Sequence, residues 1–418
     1  MTYFTEHDKK IVRELAARYR EIAESEQTKR SIQLAYNTND LKGGRPFVHI
    51  DELPWVELNG EGELTRQCED DFAAGLEDYF RKSLYRWNHF RTNDIFPNAF
   101  YFEKAYEVQG WILQEKAKIL ETEQGNNIVS HKYEDQLPDE ASLEKIRPMK
   151  VIAHPEQDAQ RLEKATELLG GALEAKLNGR AYIYLPPWDS LVRFHTVENT
   201  YIDMVDRPEF IHAMMQRYVN VHTDMLEQQE KLGLLGDIRY GDTLHCTAPF
   251  VSEFEKTEPG QPNKMKNMWL RCMAQSLGSC SPAMYNEFEI EHMKELIERF
   301  GLIYYGCCEP LERVIPYLRK LPNLRKIGVS PFADLEMSAE QIRGDYVLSR
   351  KPNPSNMSGD FNEEVVRKEI EETVRVCEKY GCSYDYVLKD ISTVGHDPSR
   401  LSRWAKIVNG VLDAQYGR

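Results

Sequence analysis

The chain reads as an α/β protein, a (β/α)8 TIM barrel with an N-terminal helical extension. Three observations predict this: from about residue 148 short apolar runs alternate with amphipathic helices, no return hairpin separates them, and their count approaches eight. Residues 1–92 are assigned to the extension, packing on the barrel, and residues 93–418 to the barrel.

The extension opens on Thr5-Glu6-His7-Asp8, a capping-box pattern. Ile11, Val12, Leu15, Ala16, Tyr19, Ile22 and Ala23 follow at helical spacing. A second amphipathic stretch covers about residues 66 to 88, and the Gly/Pro-punctuated piece from Gly43 to Leu58 has room for short strands. The charged segment Glu121 to Arg147 reads as an irregular excursion or a lid. Predicted strands then run in order: Met149 to Ala153, Ala181 to Leu185, Trp269 to Leu277, Leu302 to Cys308, Lys326 to Val329, Tyr346 to Ser349 and Tyr386 to Ile391. Helices are predicted after Pro208, over Pro282 to Phe300 with Ile290, Met293, Leu296, Ile297 and Phe300 in one stripe, and over Pro398 to Leu412 with Asp397 as cap.

The net charge of −15, with no long block of one sign, argues against nucleic acid, which requires a concentrated basic surface. No apolar stretch approaches a membrane span and the N-terminus lacks a signal-peptide layout, so a cytoplasmic location is expected. Eight cysteines without a CxxC pair imply core residues, ligands or nucleophiles rather than disulfides. No GxGxxG or GxxxxGK[ST] follows a strand, which sets nucleotide-dependent dehydrogenases and kinases aside.

In α/β barrels chemistry gathers in the loops after the strands. Here those strand ends carry Cys280-Ser281-Pro282, Gly306-Cys307-Cys308-Glu309, Ser330 to Asp334, Arg350-Lys351-Pro352-Asn353-Pro354 and Lys389 to Thr393. Cysteine and glutamate are metal ligands, and a thiolate is also a ready nucleophile. Cys308, Cys307, Glu309 and Cys280 are the candidate metal ligands, with His245 a further imidazole; the alternative is one buried thiol, one idle neighbour and a hydrogen-bonded loop histidine. Lys351, Asp390 and Glu309 are the candidate catalytic groups. Lys351 is fixed by two following prolines, and Asp390 alternates with Lys389; the plain alternative is a buried salt bridge. Tyr305, Asn353, His245 and Asp334 are the candidate substrate contacts, although Asp334 also suits a helix cap. Tyr304 and Tyr305 are adjacent, so one lines the barrel and the other packs outward.

The block Ser281 to Phe288, Phe300-Gly301-Leu302, Tyr304 to Leu311, Asn323 to Lys326, Ser330-Pro331, Tyr346-Val347, Lys351 to Pro354 and Lys389 to Thr393 resembles the uroporphyrinogen decarboxylase-like superfamily. That superfamily is grouped with the methylcobamide methyltransferases and cobalamin-independent methionine synthase. The closest likeness is to a bacterial branch carrying YYGCCEPL and KPNP, and it covers residues 240 to 412 best. It implies the same barrel. Its tetrapyrrole decarboxylases use an N-terminal arginine cluster that this chain lacks. Its methyltransferases hold zinc on a His-x-Cys plus a later Cys, whereas this chain has Gly306-Cys307-Cys308 and no cysteine in Lys389 to Thr393.

The leading expectation is a metal-assisted methyltransferase, an O-demethylase type that moves a methyl group from a small methoxylated or methylated compound to a corrinoid protein. Zinc is the expected metal, and the absence of a DxHxxG motif implies that the corrinoid arrives on another chain. A decarboxylase or lyase of a small carboxylate and a non-catalytic ligand-binding barrel are the alternatives. Expected partners are a small molecule and the corrinoid protein, without nucleic acid or membrane; a homodimer stays open.

Overall fold

The computed structural model describes residues 3–120, 130–240 and 250–417. Its centre is an all-parallel sheet of seven strands: β1 (Phe47–Ile50), β2 (Ile183–Tyr184), β3 (Trp269–Cys272), β4 (Leu302–Tyr305), β5 (Leu324–Val329), β6 (Val347–Arg350) and β7 (Ser383–Leu388). Their spatial order is β1-β7-β6-β5-β4-β3-β2, so each strand from β2 to β7 lies beside its sequence neighbour. That order follows from the helical crossovers, which return the chain to the same end of the sheet before each new strand.

The sheet is strongly curled. A flat sheet would separate the ends of β4 and β7, three strand spacings apart, by roughly 14 Å. Here Cys308, just beyond β4, and Asp390, just beyond β7, are in contact with Sγ and Oδ2 2.9 Å apart. Tyr304 of β4, Trp269 of β3 and Val387 of β7 likewise share one buried cluster. Among the described residues β1 and β2 are the sheet's edges and do not pair with each other. The observed architecture is therefore an open parallel arc of seven strands where a closed barrel of eight was predicted.

Two corrections concern the N-terminal half. First, β1 lies inside the stretch assigned to the extension, yet it pairs with β7 from Phe47↔Asp385 to Ile50↔Leu388. All four residues are buried, as expected of a strand covered on both faces. Four residues between turn signals are too short for periodicity to distinguish from loop. Second, Lys150–Ala153 is a strand but not one of the sheet: it pairs antiparallel with Tyr106–Gln109. Its Lys150 is exposed, and only Val151 is fully buried, so one face looks to solvent. A second antiparallel pair joins Ala117–Leu120 to Ser130–Tyr133 at the base of the charged excursion. Residues 121–129 lie outside the described part.

The predicted N-terminal helix forms over Glu6–Ala23, with the Thr5 hydroxyl accepting from the Asp8 amide at 3.1 Å. Its apolar face packs against the helices Asp71–His89 and Pro155–Leu169, building a satellite core around Val12, Tyr19, Phe80, Phe96 and Leu168. Arg86 ties this layer to the sheet: its guanidinium donates to the Ile50 carbonyl at 2.7 Å and pairs with buried Asp94, which also meets His49 at 3.3 Å. Burial opposes the charge on Asp94, but Arg86 and His49 hold its carboxyl far below the ordinary range.

The predicted helix Pro282 to Phe300 is not uniform. A π-helical turn occupies Asn286–Ile290 between the α-helical pieces Pro282–Tyr285 and Glu291–Ile297. The wider turn places Glu289 fully inside, behind β4.

Candidate active site

Successive residues of a strand face opposite sides, so β4 serves two polar clusters at once. Tyr304 points into the concave face of the sheet. Its ring lies 4.3 Å from the Arg271 guanidinium carbon and 5.1 Å from the Lys351 ammonium. Lys351 donates to the Tyr304 hydroxyl and, at 2.6 Å, to Ser349 Oγ. Ser349 in turn donates to Asp385 Oδ1 at 2.6 Å, and Lys326 reaches Asp385 Oδ2 at 2.7 Å. Every member of this inner cluster is buried. Burial pushes the Lys326 ammonium below its ordinary pKa, while Asp385 pulls it back up. The Lys326–Asp385 pair, the bonds of Lys351 to Tyr304 and Ser349, and the Tyr304 ring against Arg271 offset the cost of burying these charges.

On the rim beside it, Cys308 donates to Asp390 Oδ2, and Lys389 Nζ stands 3.5 Å from Cys308 Sγ. Lys389, 3% exposed, is clamped between Asp390 at 2.7 Å and Glu52 at 3.2 Å. Glu52 follows β1 and accepts from the Asp390 amide at 2.9 Å. Both carboxylates sit in the left-handed backbone region, with φ of 49° at Glu52 and 58° at Asp390. A non-glycine residue there costs of order 1 to 3 kcal/mol, a strain typical of functional loops. Despite burial, Lys389 and Cys308 hold Asp390 below its usual range. The bond to Cys307, followed by burial, pushes the Cys308 thiol upward.

The outer cluster lies on the opposite face of β4. Tyr305 reaches Tyr285 at 3.1 Å and Glu289 at 3.3 Å, and Tyr285 donates to Glu309 Oε1 at 3.3 Å. Glu309 Oε2 accepts from the Cys307 amide at 2.9 Å. Burial raises Glu309 to about 7 and lifts Glu289 well above the ordinary carboxyl range. Tyr305 donates to Glu289, which favours the charged carboxylate, but burial and the nearby Asp189 outweigh it. The cluster is a set of buried acids of raised pKa strung on tyrosines.

The candidate residues therefore separate. Asp390 and Cys308 meet at the rim, and Lys351 enters the inner cluster rather than standing over the rim with Asp390. Glu309 is turned into the outer cluster. Tyr305 is corrected as a substrate contact: Tyr304 is the tyrosine that lines the concave face. Asn353 spends its amide oxygen on the Ser355 amide at 3.0 Å, forming a turn that opens the next short helix. Asp334 caps the helix Leu335–Ile342 through Met337 N at 2.9 Å. Cys280 lies against Tyr201, where burial raises its thiol. His245 lies outside the described residues.

Zinc requires about four donors in tetrahedral reach. Among the described residues no three His, Cys, Asp or Glu side chains converge in that way. Cys307 and Cys308 are neighbours with sulfurs 3.6 Å apart, but Glu309 is engaged behind the strand and Cys280 beside Tyr201. The described donor set does not fit the predicted metal, and no chemistry is routed through it.

Arg271, Lys326, Ser349, Asp385, Glu52, Tyr285 and Glu289 escaped the sequence reading. The signal for the first four was present: polar residues stand inside strands that are otherwise apolar, which is costly unless they are paired. Glu52 and Glu289 gave no such signal. A cavity of about 770 Å³ lined by Phe90, Arg91, Arg367 and Lys406 lies on the outer wall and shares no residue with these clusters.

No family model matches the chain, and no curated protein matches it. Among solved structures it is similar to a methyltransferase from Methanosarcina mazei, at 10% identity and a TM-score of 0.47, covering 89% of this chain and 94% of that one. Likeness at that level carries no chemistry. No described helix is long and apolar enough to cross a membrane.

Proposed function

We propose that the chain is a methyltransferase of the demethylase type, taking a methyl group from a small methoxylated or methylated compound and passing it to a corrinoid held by a partner protein. A reduced corrinoid supplies the nucleophile in such a transfer. The observation that carries the reading is the stacking of a thiol, ammonium and carboxylate rim on a buried, ion-paired inner cluster at the carboxyl ends of parallel strands.

Demethylation leaves an oxygen or sulfur anion that departs poorly until its charge is offset. Lys351, preorganised by Tyr304 and Ser349, supplies a fixed cation for that purpose. Cys308, hydrogen-bonded to Asp390, supplies a proton at the rim. The sequence block shared with the uroporphyrinogen decarboxylase-like superfamily supports the same reading. The cations Arg271, Lys326 and Lys351 around Tyr304 favour, as a second reading, a decarboxylase or lyase that clamps a small carboxylate.

The test is incubation of the protein with methoxy, methylamine and thioether compounds, with and without a reduced corrinoid protein. Formation of the demethylated product only when both proteins are present supports methyl transfer. Carbon dioxide release from a carboxylate without the partner establishes the second reading, and no turnover of any donor removes the first.

A further inference from the structure

We propose that Cys307 and Cys308 form a redox-active vicinal dithiol, a modification site that a peroxide closes reversibly into a disulfide between neighbouring residues. The inference rests on the thiol geometry and not on the methyl-transfer reading.

The two sulfurs are already 3.6 Å apart, at contact distance, on the loop that leaves β4. Their exposure is unequal. Cys307 is buried, at 1% exposure, whereas Cys308 is half-buried and faces the rim, so an oxidant meets Cys308 first. Cys308 Sγ is held in place at the rim, 2.9 Å from Asp390 Oδ2 and 3.5 Å from Lys389 Nζ, with the Cys307 sulfur beside it. The remaining described cysteines lack this arrangement. Cys68 and Cys272 are buried, Cys377 and Cys382 touch each other but are both buried from solvent, and Cys280 lies beside Tyr201 rather than beside a cation.

The step balances as follows. The Cys308 sulfur attacks one oxygen of hydrogen peroxide as its S–H proton is released. The O–O bond breaks, leaving a sulfenic acid on Cys308 and hydroxide, which takes the proton and departs as water. The sulfur of Cys307 then attacks Cys308 Sγ, the S–O bond breaks, and the hydroxyl leaves with the Cys307 proton as a second water. Two thiols are oxidised by two electrons and one peroxide is reduced to two waters.

Adjacent residues joined by a trans peptide have Cα atoms about 3.8 Å apart, below the roughly 4.4 to 6.8 Å that disulfides ordinarily span. The closed form is therefore strained and easily reduced, which makes it a reversible mark rather than a structural staple. Closure also removes the S–H that Cys308 offers to Asp390, so oxidation and the rim chemistry exclude each other.

The experiment uses the full reduced chain, exposed to stoichiometric hydrogen peroxide, alkylated in denaturant and digested with trypsin. The peptide Phe300–Arg313 holds both thiols and no other cysteine. It should lose two hydrogens, resist alkylation, and recover both after treatment with dithiothreitol. In the Cys307→Ser variant, dimedone should label Cys308. A wild-type peptide that gains two or three oxygens instead, or in which both thiols alkylate as before, overturns the proposal. So does a Cys307→Ser protein with no dimedone on Cys308.

Discussion

The inner and outer clusters are built on the two faces of one strand, and they handle buried charge in opposite ways. The inner one pairs its groups, with Lys326 on Asp385 and Lys351 on Tyr304 and Ser349. The outer one discharges its acids: Glu289 and Glu309 are raised by burial and strung on tyrosine hydroxyls. A desolvated carboxyl with a cation in reach stays charged, and one without takes up a proton.

That contrast breaks most sharply at Lys326. Lys326→Met leaves Asp385 buried without its ammonium, and removal of one partner of such a pair costs about 3 to 5 kcal/mol. Urea unfolding should register that loss. A variant as stable as the wild type would mean that Asp385 is not held as an ion by Lys326.

Lys351→Ala should act on function rather than on the fold. If the ammonium offsets charge on the leaving group, turnover should fall by about 2 to 4 kcal/mol in barrier with the fold retained. Asp390→Asn, which keeps shape and removes charge, should also impair turnover. A destabilised Lys351→Ala protein with full specific activity would reduce the lysine to a structural ion.

The outer cluster predicts a pH dependence of definite sign. The Glu309 pKa is raised from 4.5 to about 7, so the folded chain holds more protons than the unfolded one between those values. Stability from this group is full below the unfolded pKa and declines as pH rises through 7. At about 1.4 kcal/mol per unit, the loss approaches about 3 kcal/mol. Glu309→Gln should flatten that decline in denaturant titrations at pH 5 and pH 8, while an unchanged slope would place the proton elsewhere.

The smallest effects belong to residues the structure moves out of the site. Asp334→Ala should cost only about 1 kcal/mol, the value of a lost helix cap, with turnover unchanged. A large loss of turnover would return Asp334 to the site.

The sequence by itself determined most of the strands and the caps, because periodicity and caps are local, but not the place of Phe47–Ile50 or of Lys150–Ala153. Thr5 caps the first helix as its pattern required, and the predicted runs beginning at Ala181, Trp269, Leu302, Lys326, Tyr346 and Tyr386 each overlap a strand of one parallel sheet. It also placed Cys308 and Asp390 at strand ends, since the polar residues follow the runs directly. Tertiary structure decided which of these groups meet. The curl of the sheet brings Cys308 to Asp390 across three strands, a contact between residues 82 positions apart that no spacing encodes. Strand parity then sent Tyr304 to the concave face and Tyr305 behind it, and the π-helical turn set Glu289 where Glu309 could share its tyrosines. The docking of β1 placed Glu52 against Lys389, because the segment between the helices Glu6–Ala23 and Asp71–His89 fills the edge beside β7. Ionisation followed from the same packing: burial and the cations in reach, neither visible along the chain, decide which carboxyls keep their charge.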